Sequence, residues 1–230
     1  MISWAEPGFA VAFTTRIGGV SAGPYSSLNL GRSTGDDVTC VDENRRRACE
    51  LLDADPSLLT TNRQVHSTTL NEAAPAVHGR IGDGLWSDRV GVPMLALAAD
   101  CVPIALAARG RGRLALVHAG WRGLSSGVID AGVAAVRGGE DSAEIAAAIG
   151  PSAGPCCYEV GREVSDLFDA DLTRERKLDL WSATERLLRA AGVGWIERVD
   201  LCTICRSDLF FSHRRDGRPR GVQGVIGYVA

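Results

Sequence analysis

Three side chains in this sequence can bind a metal ion or act as nucleophile and base: Cys101 and two histidines, His66 and His118. The chain has only four histidines, so the presence of two of them beside polar and Gly-rich segments points to a possible functional site. A thiolate and imidazoles are typical zinc ligands, and three protein ligands leave a fourth position for water or substrate. The same thiol and one imidazole can instead form a nucleophile and base pair.

The segment between Cys101 and His118 indicates a β-hairpin. An apolar run follows Cys101, a turn rich in Gly and Arg comes next, and a second apolar run ends at His118. Pairing Ala108 with Arg113 across the turn places Pro103 opposite His118. In that register Cys101 and His118 are diagonal neighbours on one face, with Cβ atoms about 7–8 Å apart.

His66 follows Gln64 and Val65, and the alternation of Val65 with polar neighbours predicts a short strand within residues 62–70 with His66 on its polar face. The spacing of His66, Cys101 and His118 is too open for a zinc finger. The alternative interpretation is that Cys101 is a small buried apolar residue and that each histidine is a hydrogen-bonded structural group.

Length and composition predict one globular domain over residues 1–230. The sequence is 45% hydrophobic and has a net charge of -3, which argues against a nucleic-acid partner because phosphate-driven binding needs a basic face. The N-terminal residues resemble neither a secretory signal nor a membrane anchor, and Pro93, Asp100 and Pro103 break the longest apolar stretches. We therefore expect a cytoplasmic protein without a membrane partner.

Seven cysteines, an odd number, fit reduced thiols better than a disulfide framework. Cys156 and Cys157 are adjacent, and Cys202 and Cys205 have CxxC spacing. The CxxC pair could be half of a zinc site or a redox pair, but the sequence offers no matching CxxC or nearby histidine pair to complete it. A structural role for Cys202 and Cys205 is the favoured interpretation.

Strands and helices mix along the chain without strict alternation, which favours a single α/β (α+β) domain with a mixed sheet flanked by helices. The central strands are predicted within residues 93–119, and Asp42 is a plausible helix cap. The other predicted strands are 9–15, 144–149, 195–201 and 222–229, and the predicted helices are 42–52, 124–136, 158–170 and 178–191.

An ordered set of short strings covers nearly the whole chain. They are Thr14-Thr15-Arg16, Gly18-Gly19-Val20-Ser21, Ser27-Leu28-Asn29-Leu30-Gly31, Gly35-Asp36-Asp37, Gln64-Val65-His66, Ala99-Asp100-Cys101-Val102-Pro103, His118-Ala119-Gly120-Trp121-Arg122-Gly123, Gly150-Pro151, Tyr158-Glu159-Val160, Asp208-Leu209-Phe210-Phe211-Ser212 and Arg214-Arg215-Asp216-Gly217. In this set the chain resembles the YfiH-like family, also called laccase-domain or multicopper polyphenol oxidase proteins and treated as purine nucleoside phosphorylases.

The resemblance implies that His66, Cys101 and His118 are metal ligands, and that the fold is related to the cytotoxic-necrotizing-factor type of cysteine hydrolase. It also implies phosphorolysis of adenosine, inosine and methylthioadenosine to the base and a pentose 1-phosphate, with adenosine deamination as a second activity. The sequence departs from the family at Ser67, where Gly is usual, and at His213, where Tyr is usual. Both departures could alter the shape of the pocket.

Phosphorolysis requires a cationic phosphate pocket, and guanidinium groups bind phosphate bidentately. Zinc with an open position could polarise the substrate or lower the pKa of a bound water for deamination. Asp83 and Asp100 are candidates to orient a ligand histidine or to act as general base, beside His66, Cys101 and His118. The candidate substrate and phosphate ligands, any of which could instead be structural, are Arg16, Asn29, Gln64, Arg122 and Arg214.

The copper chemistry in the family's older name does not fit the composition. A blue-copper site uses two histidines and a cysteine, and the oxygen-reducing cluster of a laccase needs several further imidazoles, which four histidines cannot supply. Zinc is therefore preferred to copper. Two other interpretations stay open: a cysteine hydrolase with Cys101 as nucleophile and His118 as base, acting on cell-wall precursors, and a metal-binding or partner-binding protein without turnover.

Overall fold

The structure is a computed structural model that describes residues 1–139 and 143–230. The strands are β1 (Ile2–Trp4), β2 (Phe9–Phe13), β3 (Thr60–Arg63), β4 (Leu70–Glu72), β5 (His78–Ile81), β6 (Gly84–Ser87), β7 (Met94–Ala98), β8 (Val102–Ala108), β9 (Arg113–Ala119), β10 (Ile145–Ile149), β11 (Thr173–Arg174), β12 (Lys177–Leu178), β13 (Trp195–Arg198) and β14 (Gln223–Val229).

The α-helices are α1 (Val38–Glu50), α2 (Trp121–Ser125), α3 (Val128–Arg137), α4 (Arg162–Ser165), α5 (Leu180–Ala190) and α6 (His213–Asp216). Short 3₁₀ turns lie at Gly23–Tyr25, Pro56–Leu58 and Ala170–Leu172. Among the described residues, no helix is both long and apolar enough to cross a membrane.

Two six-stranded sheets contain most of the strands. The first has the order β1-β2-β14-β7-β3-β5, and the second has the order β13-β10-β8-β9-β6-β4. Both are mixed, because β3 pairs in parallel with β5 and β7, and β10 and β6 pair in parallel with β13 and β4, while the other pairs are antiparallel. The predicted mixed α/β fold is confirmed.

The two sheets pack face to face over an apolar core. The first sheet contributes large residues such as Phe13 and Met94, and the second contributes Leu116 from β9. On β8 the residues that face this core are the small Ala105 and Ala107, which allow the sheets to approach each other closely. The opposite face of β8 carries bulkier residues, so both faces of this strand are buried, as its continuous apolar run indicates.

Helices cover the outer faces of both sheets. Helix α1 packs Ala48 and Cys49 against Leu95 and Ile226 of the first sheet. Helices α3 and α5 pack against the face of the second sheet that carries Ile104 and Leu106, with residues such as Val133 and Leu188 buried there. The molecule therefore has four layers. Strands β8 and β9, which form the predicted hairpin, lie at its centre, and this position holds the ends of the hairpin rigidly.

The register predicted for the hairpin is confirmed. Ala108 pairs with Arg113 and Pro103 pairs with His118 across the β8–β9 ladder. Cys101 immediately precedes β8, at the end of the ladder where His118 lies. The predicted strands at 9–15, 144–149, 195–201 and 222–229 also exist, with ends trimmed by one to three residues.

Three predicted helices differ from the structure. Helix α1 begins at Val38 rather than at residue 42, because the Asp37 carboxylate accepts the Thr39 N–H at 2.8 Å and caps the helix earlier. The predicted helix 124–136 is two helices, since Gly127 adopts a left-handed φ of 92° between them. The predicted helix 158–170 is wrong, because only the short α4 is helical in that segment.

Candidate metal centre

His66, Cys101 and His118 come together at one end of the central hairpin. Each offers one ligand atom, and the three atoms all lie within 4.8 Å of one another. The Cys101 Sγ lies 3.7 Å from His66 Nε2, and the two imidazole rings meet edge to face with centroids 4.9 Å apart. One thiol and two imidazoles at these separations form a donor set that a transition-metal ion can bridge.

His66 lies in a loop after β3, and the prediction that it belongs to a strand is wrong. Its φ of 61° is left-handed, which an extended strand cannot accommodate. The buried Asp83 carboxylate holds this loop: its Oδ1 accepts the His66 N–H at 2.9 Å, and its Oδ2 accepts the Val65 and Ser67 N–H groups at 3.1 and 2.6 Å. The Ser67 hydroxyl adds a further bond at 2.8 Å.

Asp83 also contacts His118, so one carboxylate positions two of the three clustered residues. His118 Nδ1 lies 2.9 Å from Asp83 Oδ1. A proton on Nδ1 leaves the lone pair of Nε2 directed away from the carboxylate, as in the carboxylate–histidine pairs of metal sites. Burial alone would raise the pKa of Asp83, but the hydrogen bonds from His118, Ser67 and Val65 hold it well below its usual range.

Gly120 keeps the space beside the cluster open. A Cβ built on this residue would lie 2.9 Å from His66 Cδ2 and 3.0 Å from Cys101 Sγ. Its backbone conformation is ordinary, with φ of -81°, so glycine is needed for space and not for conformation. The residues therefore leave room for an ion between the imidazole of His66 and the Cys101 thiol.

Cys101 and His118 are electrostatically coupled. Burial disfavours the charged form of each, but their mutual attraction prevails and hydrogen bonding adds to it. The pKa of Cys101 is lowered to about 6, and the pKa of His118 is raised to about 9. In the chain without metal, this pair is a thiolate beside an imidazolium, which is also the arrangement of a cysteine nucleophile and its base.

The cluster opens into a cleft of about 360 Å³. Arg63, Arg218 and Arg220 line the cleft together with His213. The three guanidinium groups make the wall of the cleft cationic. Within the described ranges, Arg63 and Arg218 have no carboxylate within ion-pair distance, and Arg220 donates to the Gly217 carbonyl at 3.1 Å. The buried Nε of Arg220 has no hydrogen-bond acceptor among the described residues, so one N–H group is left for an anion.

Gln64 and Asn29 lie at different distances from this cleft. Gln64 lines it, but its side-chain amide pairs with the backbone of Leu97 at 2.7 and 2.8 Å. Asn29 is fully buried, where it donates to Thr34 and Asp36 and accepts the Gly31 and Val222 N–H groups. Its hydrogen-bonding groups are used inside the protein.

The structure distributes Arg16, Arg122 and Arg214 over separate positions. Arg16 donates to the backbone carbonyls of Ser26 and Ser207 at 2.8 and 3.0 Å, and its guanidinium stacks over Phe211. It therefore ties two loops together, outside the cationic cleft.

Arg122 and Arg214 lie near a second cleft of about 400 Å³, lined by Trp121, Tyr158 and Arg214. The Arg122 guanidinium stacks over Trp121, and Arg214 stacks over Tyr158 while donating to the Glu159 carbonyl. Burial, and then the negative charge of Cys101, raise the pKa of Tyr158 to about 12. Cys101 therefore acts electrostatically on a residue that lines the second cleft.

Asp100 precedes Cys101 but turns away from the cluster. Its backbone has a left-handed φ of 89°, and its carboxylate accepts from the Thr203 hydroxyl, the Ser212 hydroxyl and the Arg214 N–H at 2.7, 3.0 and 2.6 Å. It fixes the segment that enters α6. Asp83, and not Asp100, therefore contacts a clustered histidine.

The sequence did not indicate Arg63, Arg218 and Arg220, the arginines that line the cleft, as candidate ligands. Arg63 is adjacent to Gln64, which was a candidate ligand, so the neighbouring position in the same string could have indicated it. Arg218 and Arg220 belong to a basic segment whose contact with the cleft depends on how β14 enters the first sheet.

Fold and site together define a class: a mixed α/β sandwich with one cysteine and two histidines clustered at the end of its central hairpin. The chain belongs to the laccase-domain family, because the family model described as multi-copper polyphenol oxidoreductase laccase matches residues 10–228. The family predicted from the sequence strings is therefore confirmed.

Relatives in this family cover nearly the whole chain. A purine nucleoside phosphorylase of Pseudomonas aeruginosa is 38% identical over 228 residues, covering 94% of this chain and 92% of its own. Purine nucleoside phosphorylase YfiH of Escherichia coli is 35% identical, covering 93% and 91%. The crystal structure of YlmD from Geobacillus stearothermophilus has a TM-score of 0.88 at 37% identity, covering 97% of this chain and 93% of that chain.

Proposed function

We propose that this protein is a zinc-dependent purine nucleoside phosphorylase. The observation that carries the proposal is the convergence of His66, Cys101 and His118 at a cleft whose wall is cationic. The relatives named purine nucleoside phosphorylases support the same activity, since they match more than nine-tenths of the chain. Purine nucleosides and phosphate would be the partners of the site.

His66, Cys101 and His118 would hold the zinc ion. When bound, zinc would supply a positive charge and Lewis acidity at the floor of the cleft. Asp83 would keep the proton of His118 on Nδ1, so that Nε2 is available as a ligand, and would fix the loop that carries His66. The donor set alone would also suit copper, and metal analysis of the purified protein distinguishes the two.

Arg63, Arg218 and Arg220 are the proposed phosphate ligands. Phosphorolysis transfers the pentose from the base to phosphate, so the phosphate must lie beside the nucleoside and its charge must be balanced. Guanidinium groups that have no carboxylate partner among the described residues, together with the Arg220 Nε, which lacks an acceptor in the same part of the chain, meet that requirement. Arg122 and Arg214 at the second cleft are the competing candidates.

Adenosine, inosine and methylthioadenosine are the proposed substrates, with adenosine deamination as a second activity at the same site. Deamination needs water in place of phosphate, and the exposed His66 side of the cluster is open to solvent. The two reactions can be distinguished by their products. Phosphorolysis releases a base only when phosphate is present, whereas deamination releases ammonia without it.

The direct test is hypoxanthine release from inosine, measured with and without phosphate. Phosphate-dependent release that chelation abolishes and zinc restores is the expected result. No release under either condition would refute the phosphorylase and would favour a metal-binding protein without turnover. Ammonia release from adenosine in the absence of phosphate tests the deaminase separately.

A cysteine hydrolase is the second candidate, because the lowered pKa of Cys101 beside His118 suits a thiolate nucleophile. Zinc would occupy the thiolate that a nucleophile needs free, so the two functions exclude each other at this residue. Activity toward cell-wall precursors that survives chelation and is lost when Cys101 is alkylated would favour the hydrolase.

A further inference from the structure

A second group of thiols lies apart from the site described above. Cys156, Cys157, Cys202 and Cys205 converge, with all four Sγ atoms within 4.8 Å of one another. The sequence offered no partner for the CxxC pair, and the structure corrects this: the adjacent pair Cys156-Cys157, more than forty residues upstream, completes the group.

The sulfur separations fit a single tetrahedral ion. Cys205 Sγ lies 3.5 Å from Cys156 Sγ and 3.2 Å from Cys157 Sγ. A tetrahedral zinc–thiolate site with bonds of about 2.3 Å places its sulfur atoms about 3.8 Å apart, so a small expansion of the group would admit the ion.

The backbone around Cys202 is arranged as for a thiolate ligand. The Gly154 N–H donates to Cys202 Sγ at 3.3 Å. Amides turned toward the first sulfur of a CxxC loop stabilise negative charge there, which an ordinary buried thiol does not require.

The exposure of these residues argues against a purely apolar role. Cys156 and Cys205 are exposed, whereas Cys49 is completely buried in the core between α1 and the first sheet. A cysteine that serves as a small apolar residue is buried like Cys49. Cys157 is half-buried and only Cys202 is buried, so burial of apolar surface does not explain why the four thiols converge.

We propose that Cys156, Cys157, Cys202 and Cys205 form a structural zinc site with four thiolate ligands. Four protein ligands leave no open position, so this ion would take no part in catalysis. It would be the second zinc of the chain, and its binding would release the protons of those thiols that are protonated in the metal-free chain.

The site would tie together two segments that both lead to the candidate active site. The segment after β10 pairs with the CxxC loop through the Thr203 N–H and the Ser152 carbonyl at 3.0 Å. Thr203 also donates its hydroxyl to Asp100, the residue before Cys101. Zinc at the four cysteines would therefore stabilise the position of Asp100.

Zinc content per chain tests the proposal, with wild-type protein compared with a Cys202→Ser, Cys205→Ser double variant. We expect two zinc ions per wild-type chain and one in the variant. Cys40→Ser on α1 is the matched control and should retain both. Equal zinc content in wild type and double variant would overturn the proposal.

The test separates this site from the catalytic one. A Cys101→Ala, His118→Ala double variant should also retain one zinc, held by the four cysteines. If the wild-type protein holds one zinc that the Cys202→Ser, Cys205→Ser variant loses, the four-cysteine site stands and the zinc of the proposed phosphorylase site does not.

Measurements on wild-type protein cover the case in which the variant does not fold. Cobalt loaded in place of zinc should give strong sulfur-to-metal charge-transfer absorption, because four thiolates contribute in addition to Cys101. Thiol titration before and after chelation supplies the second readout. Five thiols that become reactive only after chelation, the four of this site and Cys101, support the site. Thiols released by reductant, from protein that holds no metal there, would identify a redox disulfide pair and refute it.

Discussion

Replacing Asp83 with Asn should weaken zinc binding by changing the tautomer of His118. All contacts of the carboxylate described above are with donors: Oδ1 faces His118 Nδ1 and the His66 N–H, and Oδ2 faces Val65 and Ser67. An amide retains only one acceptor oxygen. The oxygen should take the position of Oδ2, where it keeps more donors, and the NH₂ group should then face His118.

An NH₂ group facing Nδ1 requires that nitrogen to accept, so the imidazole proton moves to Nε2. Nε2 is the nitrogen proposed to bind zinc, and a protonated nitrogen cannot do so. Loss of a partner that orients a metal-binding histidine typically weakens metal affinity by about 10–100-fold, or about 1.4–2.7 kcal/mol. The His66 N–H also loses its acceptor, which should cost a further ~1–3 kcal/mol of folding stability.

Competition between the protein and a chromophoric chelator measures the zinc affinity of Asp83→Asn, and thermal unfolding measures its stability. Ser67→Ala is the matched control, because it removes one donor to Oδ2 and leaves the contact with His118 intact. We expect the control to bind zinc as wild type does. Wild-type affinity in a folded Asp83→Asn variant would refute the assignment of Asp83 as the residue that orients His118.

Three further predictions concern the same cleft. Gly120→Ala should lower the affinity for zinc, because its Cβ would lie 2.9 Å from His66 Cδ2 and 3.0 Å from Cys101 Sγ, well inside ordinary van der Waals contact; a chelator titration that gives wild-type affinity would contradict this. Arg63→Ala and Arg220→Ala should raise the KM for phosphate more than the KM for inosine, whereas Arg122→Ala should not; the reverse pattern in steady-state kinetics would move the phosphate to the second cleft. In chelated protein, alkylation of the Cys101 peptide, followed by mass spectrometry, should reach half its maximal rate near pH 6, because the pKa of Cys101 is lowered to about 6; a midpoint near the ordinary value of about 8.5 would show that the thiolate is not stabilised.

The central hairpin could be predicted to the exact pair because its information is local. Two apolar runs and a Gly-rich turn leave few alternative registers, and the pairing of Pro103 with His118 follows from counting. The helix predicted over residues 158–170 was wrong because the positions of its apolar residues are set by contacts with distant parts of the chain and not by local structure. Tyr158, Val160 and Val164 are buried against the second sheet in largely irregular chain, so spaced apolar residues there report burial and not a helical repeat.

The candidate site was partly visible in the sequence. The residue types of His66, Cys101 and His118 indicated a metal site, and the hairpin explained how two of them could meet. The contacts of Asp83 could not be derived, because three loop amides point at its carboxylate only when His66 adopts its left-handed conformation. Whether the chain forms one domain over 1–230 and is cytoplasmic stays a prediction.

The hydrogen bonds of Asp83 imply that the cluster is organised before any metal binds. A single buried carboxylate holds the His66 loop through the backbone and His118 through its ring, while the β8–β9 ladder fixes the position of Cys101. Because these restraints belong to the folded protein, little conformational entropy would be lost on binding the proposed ion, and its affinity would be correspondingly higher. The same restraints explain why Gly120 must be small: side chains held this rigidly cannot move aside for an added Cβ, so the space for the ion has to be built into the backbone.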